Sequence, residues 1–336
     1  MRLRRSDCSG PGLTRRRSGR GFVYLDEGGT RVTDPEVRAR IVDLVIPPAW
    51  QEVWISPHPG GHIQATGVDA RGRKQYLYHE RWRVRRDQQK FDDMVAFARR
   101  LPRLRERVDA DLRAAPLSEA QVLAAAVRLL DRGFFRIGGE DYAVENETYG
   151  LATMCKRHVT VEGDLLVFDY PAKHGKRRVQ SVVDADVADI VLGLRRRRGG
   201  GEELLAHRSG RRWVDVRSGD INEYIKDAVG RAVSAKDFRT WGATVLAAVS
   251  VAVSEPHVHS VTARKRAVTH AVKEVAHYLG NTPAVARRSY IDPRVFDRFA
   301  EGESISGALS RLGAEPGAPA IQGAAERAVL RLLDGD

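Results

Sequence analysis

Cysteine is nearly absent from this 336-residue chain, with Cys8 and Cys155 its only two. Two thiols make neither a disulfide framework nor a zinc site, and they suit a reducing compartment. No apolar run reaches the roughly 18–20 residues that a membrane helix needs. The longest, Ala243 to Val253, is broken by Ser250 and reads as a buried helix. The start of the chain is polar and basic (Arg2, Arg4, Arg5, Arg15 to Arg17) with no apolar stretch, so no secretory signal is expected. There is no Walker phosphate loop, so ATP hydrolysis is not indicated. Gly10-Pro11-Gly12 and Gly28-Gly29 are turn glycines, and neither opens a dinucleotide fingerprint. No set of carboxylates has the spacing of a two-metal nuclease. Lysine is scarce as well, nine residues against 47 arginines.

Positive charge is what the chain has in excess. Lysine and arginine number 56 against 44 acids, a formal net charge of +12. That balance points to a polyanionic partner, and nucleic acid is the commonest one. A hydrophobic fraction of 42% fills real cores and excludes wholesale disorder. The length suits two domains.

The first 80 or so residues read as sheet-rich. Phe22 to Asp26 and Thr30 to Thr33 flank Glu27-Gly28-Gly29 as a hairpin. Asp34-Pro35 is an N-cap and first helical residue, opening a helix with Val37, Ile41 and Leu44 inward. Ile46-Pro47-Pro48 ends it. Val53 to Ser56, Gly61 to Thr66 and Lys74 to His79 read as strands, with Asp69 to Arg73 a turn. From Glu80 toward Arg100 the pattern is helical and charged, and the domain boundary is expected near residue 93.

The remainder reads as mostly helical. Ser118 to Gln121 is a capping box, Asp220 to Glu223 and Ser234 to Asp237 open further helices, and Gly280 ends another. Thr282-Pro283 starts a short helix to about Tyr290. One stretch differs. His158 to Val161, Leu165 to Tyr170 and Arg178 to Val183 form a three-stranded meander, its second turn holding Lys173 and Lys176. Arg195 to Glu203 reads as a solvated loop, and Gly313 to Gly323 as a linker to a C-terminal helix.

Without a metal site, any cleavage of nucleic acid needs a side-chain nucleophile and fixed cationic donors. Three segments could supply them. The first is Arg136-Ile137-Gly138 with Asn146-Glu147-Thr148-Tyr149-Gly150. The second is Lys236-Asp237-Phe238-Arg239-Thr240-Trp241. The third is Leu279-Gly280-Asn281-Thr282-Pro283, running on to Tyr290. In this order and spacing they resemble the motifs of type IB DNA topoisomerases of the small poxvirus and bacterial kind. The N-terminal part resembles that family's sheet domain through Ile46-Pro47-Pro48-Ala49-Trp50, Gly61 to Gly67, and Gly72-Arg73-Lys74-Gln75-Tyr76. The resemblance covers roughly residues 6 to 300.

The resemblance implies an α+β protein. A small sheet-rich DNA-clamp domain (1–93) would precede a mostly helical catalytic domain (94–336) of the fold shared with tyrosine recombinases. It implies relaxation of supercoiled duplex DNA through a 3′-phosphotyrosyl intermediate, without ATP, cofactor or metal. Tyr290 would be the nucleophile. Arg136 and Arg239 would bind the non-bridging phosphate oxygens, and Asn281 would donate a further hydrogen bond. Asn281 stands where the poxvirus form has histidine, so its contact can never become cationic. Lys173 would be the general acid, because Ala172 to Lys176 falls on the family's Gly-Lys-Ser-Gly-Lys; Lys176 shares the turn and is the alternative. Gln75, Tyr76, Tyr78, Tyr142 and Lys236 would touch DNA. A monomer of the cytoplasm, associated with the nucleoid, is expected.

The chemistry is consistent. A phosphodiester under attack becomes dianion-like, and arginine offers several donors in a rigid fork while keeping its proton. Tyrosine is a weak nucleophile at neutral pH because its reference pKa is about 10. Nearby guanidinium charge favours the phenolate. The phosphotyrosyl ester conserves the energy of the broken bond, which fits the missing phosphate loop. A tyrosine recombinase would share the chemistry, but it usually has histidine shortly before the second arginine and an all-helical N-terminal domain. A non-catalytic basic protein would bind DNA with steep salt dependence and form no covalent product.

Overall fold

The structure, a computed structural model, describes residues 2–140, 143, 147–230, 232–313 and 319–335. The chain divides into two compact units, residues 1–90 and 91–336. The architecture is α+β, an antiparallel sheet followed by a mainly helical region.

The N-terminal unit holds β1 (Leu13–Ser18), β2 (Gly21–Leu25), α1 (Pro35–Asp43), β3 (Gln51–Ile55), β4 (Ile63–Val68) and β5 (Lys74–Tyr78). The strands form one five-stranded sheet in the order β2-β1-β3-β4-β5. Asp34 caps α1 by accepting from the Glu36 and Val37 amides, with Pro35 at the first position. Ile41, with Val37 and Leu44 beside it, packs on Val53, Ile55 and Ala65 of the sheet. Two of the motifs meet here. Trp50 lies against Gly67, where a Cβ would come within 2.8 Å of the indole. That contact requires glycine at the end of the Gln64-Ala65-Thr66-Gly67 stretch.

The first hairpin lies earlier than expected. Across Glu27-Gly28-Gly29 there is a single bridge, Leu25 to Arg31. The full ladder is β1 against β2. The arginines of β1 hide it from a hydrophobicity pattern. The Arg15 guanidinium turns inward and donates to the carbonyls of Ile46 (3.1 Å), Pro47 (3.0 Å) and Trp50 (2.7 Å). A strand need not alternate in apolar residues where its inward cation is satisfied by backbone oxygens.

The unit boundary falls inside α2 (Glu80–Asp111), which continues past Arg100 and through Pro102. Proline there lacks one ladder N–H. The buried stripe Leu101, Leu104 and Val108 carries the helix across. Next come α3 (Glu119–Gly133), then the meander β6 (Val159–Glu162), β7 (Leu165–Ala172) and β8 (Lys176–Val183) in that order. After α4 (Ala185–Arg196), a hairpin of β9 (Ala206–Ser209) and β10 (Arg212–Asp215) turns at Gly210, φ 59°. Its polar, arginine-rich strands gave no alternation to read. α5 (Ser218–Val229), α6 (Ala235–Ser254), α7 (Val261–Leu279), α8 (Pro283–Ser289), α9 (Arg294–Glu301) and α10 (Ala324–Asp334) follow.

Helix α6 is the centre of this unit. Phe238, Trp241, Val245, Ala247 and Val251 are all buried on it. It is capped as its sequence predicts, with the Asp237 carboxylate accepting from the Ser234 amide at 2.8 Å. One sequence expectation is overturned. Arg197 is no solvated loop residue. It is 7% exposed and donates to the carbonyls of Leu194, Gly200, Glu203 and Leu204. The following glycines at positive φ, Gly199 to Gly201, let the backbone wrap this guanidinium.

Candidate active site

The end of α3 aims Arg136. Phe134 takes a left-handed conformation (φ 54°) just beyond Gly133. Its ring lies over Gly242 of α6, where a Cβ would come within 2.8 Å. Phe135 turns into the core and meets Phe168 edge-on, centroids 4.8 Å apart. The next carbonyls are then fixed by the second half of the motif. Leu151 donates to the Arg136 carbonyl at 2.8 Å and Ala152 to that of Ile137 at 2.7 Å. The two backbones cross where both residues are glycine, since a Cβ on Gly150 would lie 2.4 Å from Gly138. The Arg-Ile-Gly and Tyr-Gly-Leu segments are one construction that holds the Arg136 backbone.

Arg239 sits in the second turn of α6, 4% exposed. It donates to the Phe134 carbonyl and, at 2.9 Å, to the Leu279 carbonyl at the end of α7. Neither acceptor carries a charge. Burial first, then the charge of Arg136, draws its pKa down to about 10, with Tyr290 opposing. The Arg239 guanidinium lies over the Tyr290 ring, 5.4 Å from its centroid. Arg136 donates to Asn281 Oδ1 at 2.5 Å and to the Gly280 carbonyl at 3.4 Å. That leaves Asn281 Nδ2 and Arg239 Nε buried with no acceptor. Buried donors without acceptors are costly, about 1–3 kcal/mol each. Asn281 is held by Arg136 and Arg239 lies in the field of the same guanidinium, so both open donors are in positive surroundings that an oxyanion would satisfy.

Gly280 ends α7 in the left-handed region, φ 60°, and directs the chain to Asn281. Thr282 caps α8 by accepting from the Val285 amide, and Tyr290 follows at the other end. The Tyr290 carbonyl accepts from Thr244 Oγ1 at 3.3 Å. The same hydroxyl accepts from the Asp292 amide at 3.1 Å. Tyr290 and the buried Arg239 are thus referenced to one helix, α6.

Lys173 lies in the single 3-10 turn Lys173–Gly175 between β7 and β8. It is exposed, and with Lys176, Arg136 and Asn281 it lines a cavity of about 600 Å³. The structure therefore pairs Arg136 with Asn281 and Arg239 with Tyr290, brings the two arginines within reach of each other's charge, and puts both candidate acids on the rim of the cavity that Arg136 and Asn281 line.

The sequence reading missed Arg178, which lines that cavity too. Strand alternation from Lys176 would have flagged it as a second cation on the same face. Burial lowers its pKa. Tyr170, paired with it across the hairpin, is held above its ordinary pKa by burial, against the pull of Arg178, Arg239 and Arg136.

The DNA-contact candidates separate. Tyr76 and Tyr78 are exposed and stacked, centroids 6.1 Å apart. Gln75 alternates to the other face beside Leu77 and donates to Asp69 at 2.8 Å. Lys236 is exposed in the first turn of α6. Tyr142 lies outside the described residues. Among the described residues, no three His, Cys, Asp or Glu side chains gather as metal ligands would, and no helix is long and apolar enough to cross a membrane.

Residues 79–303 match the family described as eukaryotic DNA topoisomerase I, catalytic core. Residues 21–69 match the bacterial DNA topoisomerase IB N-terminal domain. The chain is 29% identical to the DNA topoisomerase 1B of Acanthamoeba polyphaga mimivirus over 289 residues, covering 83% of this chain and 85% of the relative. It is 22% identical to the DNA topoisomerase I of monkeypox virus and 21% identical to the DNA topoisomerase 1B of vaccinia virus, each covering 69% of this chain and 71% of the relative.

Proposed function

This chain belongs to the type IB DNA topoisomerase family, an isomerase family acting on DNA, and from that premise we propose that Tyr290, Arg136, Arg239, Asn281 and Lys173 are its catalytic residues. The Tyr290 hydroxyl attacks the scissile phosphorus, its phenolic proton passing to solvent as the bond forms and being regained from solvent when religation releases the tyrosine. The P–O5′ bond breaks and a 3′-phosphotyrosyl bond forms. The leaving 5′-oxygen takes a proton from the Lys173 ammonium. Strand rotation relaxes the supercoil, and the 5′-hydroxyl then attacks the phosphotyrosine, returning its proton to lysine and releasing the tyrosine. Every step is a transesterification, so no nucleotide is consumed. Lys173 is preferred to Lys176 because it heads the turn rather than the returning strand.

The observation that carries this reading is the unneutralised charge around Tyr290. Arg239 is buried on two carbonyls within the field of Arg136, and Arg239 Nε and Asn281 Nδ2 are buried with no acceptor. A phosphodiester supplies the missing anion, and its charge grows as the tyrosine attacks. Each fixed donor is worth roughly 10²–10³ in rate.

The C-terminal unit is proposed to share the catalytic fold of tyrosine recombinases. The N-terminal unit is proposed to grip duplex DNA through Tyr76 and Tyr78, with Gln75, Tyr142 and Lys236 as further contacts. The enzyme is proposed to act as a nucleoid-associated monomer of the cytoplasm.

Incubation with supercoiled plasmid in excess EDTA, followed by a detergent quench, tests the reading. Relaxed topoisomers and a covalent adduct at the DNA 3′ end are expected. Tyr290→Phe should abolish both. Relaxation surviving in Tyr290→Phe would overturn the nucleophile, an absolute need for magnesium would overturn the metal-free route, and binding without an adduct would mark a non-catalytic protein.

A further inference from the structure

We propose that Arg178 is a positioning residue for the general acid. It fastens the strand leaving the Lys173 turn to the last turn of α7, and so holds the lysine over the cavity shared with Arg136 and Asn281. The inference rests on the reading of Lys173 as the acid.

The Arg178 guanidinium is committed to the protein. Nη1 donates to the His277 carbonyl at 3.2 Å and Nη2 to the Tyr278 carbonyl. These are end carbonyls of α7, a 19-residue helix, and a helix C-terminus favours a cation. Half-buried and without a carboxylate partner among the described residues, Arg178 is held by these backbone oxygens and by the Tyr170 side chain. The seat has no room for a side chain at Gly280, where a Cβ would lie 2.7 Å from Arg178 Nη1. Gly280 is therefore glycine for two reasons, its left-handed backbone and this contact.

The hairpin shows what the fastening controls. Tyr170 pairs with Arg178, Pro171 with Arg177, and Ala172 with Lys176, which closes the turn. Below the Tyr170–Arg178 rung the strands are held. The Tyr170 hydroxyl donates to Gln180 Oε1 at 2.6 Å, and Gln180 Nε2 donates to the Gly133 carbonyl. Above that rung, the Lys173 and Lys176 side chains are exposed. Nearer the turn, Arg177 ties only to Asp169 of the same hairpin, and the Pro171 carbonyl on the incoming strand accepts from the Tyr149 amide at 2.8 Å. On the returning strand Arg178 is thus the fastening to α7 beside the turn, and it limits where the Lys173 ammonium can go. A misplacement of about 1 Å in a reacting group costs on the order of 10² in rate.

Single-turnover cleavage of two suicide duplexes tests this, one ordinary and one with sulfur replacing the bridging 5′-oxygen. A thiol ionises near pH 8.5, so a 5′-thiolate leaves without a general acid (about that value). Lys173→Ala should slow cleavage of the ordinary duplex by about 10²–10⁴ and recover on the sulfur duplex. Failure to recover would sink the acid reading itself. Arg178→Ala should slow the ordinary duplex by about 10² and recover on sulfur in the same way, with DNA affinity unchanged. If Lys173→Ala recovers and Arg178→Ala loses equally on both duplexes, or loses nothing, the present inference is wrong and the acid reading stands. Arg178→Lys keeps the charge but cannot fork across two carbonyls. It should show the same sulfur-rescued pattern at smaller amplitude, and it decides the matter should Arg178→Ala fail to fold.

Discussion

Arg239 is shut inside the C-terminal unit and Arg105 is partly buried in it, and the protein treats their charges in opposite ways. Arg105, on α2, meets two carboxylates. It donates to Asp131 at 2.8 and 2.9 Å and to Glu326 at 2.6 and 2.9 Å. Glu326 also accepts from Trp241 Nε1 at 2.8 Å. The acids outweigh the cost of burial, and the Arg105 pKa is pushed above its ordinary value. Arg239 meets two neutral carbonyls and a second arginine, and its pKa falls to about 10. Arg105 has its counter-ions built in. Arg239 is left short of one, and under the proposed function the substrate phosphate is the anion that completes it. The two settings meet on α6, since Trp241, which donates to Glu326 of the Arg105 cluster, is two residues beyond Arg239.

Breaking the neutralised cluster should give the largest effect. Arg105→Ala strands Asp131 and Glu326, whose side chains are only 9% and 11% exposed. Removing one member of a buried pair typically costs about 3–5 kcal/mol. Equilibrium denaturation should read that loss, while cleavage per folded molecule stays near wild type. Glu326 lies beyond the residues 79–303 that match the catalytic core, so the same experiment measures what the C-terminal helix α10 adds to the fold. A loss well under 1 kcal/mol would mean the cluster is not the structural cation site described.

Removing the unneutralised charge should do the reverse. Arg239→Ala should slow single-turnover cleavage by roughly 10²–10³, about 3–4 kcal/mol of transition-state stabilisation. Its folding stability should fall far less than that of Arg105→Ala, because a buried charge without an acid is a burden on the native state. Equal destabilisation by the two variants would erase the distinction between them.

The same contrast explains what could be read in advance. Arg136, Arg239, Asn281 and Tyr290 fall in short motifs whose glycines and caps are local: Gly138 against Gly150, Gly280 ending α7, Thr282 capping α8. Local backbone needs leave local sequence marks. Arg178 reaches a carbonyl 99 residues away, and Arg105 a carboxylate 221 residues away. Nothing near them in sequence announces those partners. Carbonyl acceptors are invisible altogether, since every residue has one. That is why Arg15 looked like part of a basic lead and Arg197 like a solvated loop. Gln75 was grouped with Tyr76 and Tyr78, and only the register of β5 separates it onto the opposite face.

The smallest effect reads the unfilled charge directly. Folding lowers the Arg239 pKa from its ordinary value to about 10. Between those values the folded chain binds fewer protons than the unfolded one, so stability rises with pH there. Below pH 10 the charged group carries a constant cost to the native state. An oxyanion seated against Arg239, Arg136 and Asn281 offsets that cost without any DNA. At ten times its dissociation constant, such an anion adds about 1.4 kcal/mol, a rise of about 3–5 °C in melting temperature for a domain of this size. Melting in sodium sulfate against sodium chloride at matched ionic strength, pH 7, gives the shift. Sulfate also stabilises proteins by exclusion from their surfaces, so the informative quantity is the difference between wild type and Arg239→Gln. The specific part should vanish in that variant and persist in Arg105→Ala, whose altered charge already had its anions. A sulfate shift of the same size in Arg239→Gln would mean that the anion binds elsewhere and that the buried Arg239 is not waiting for a phosphate.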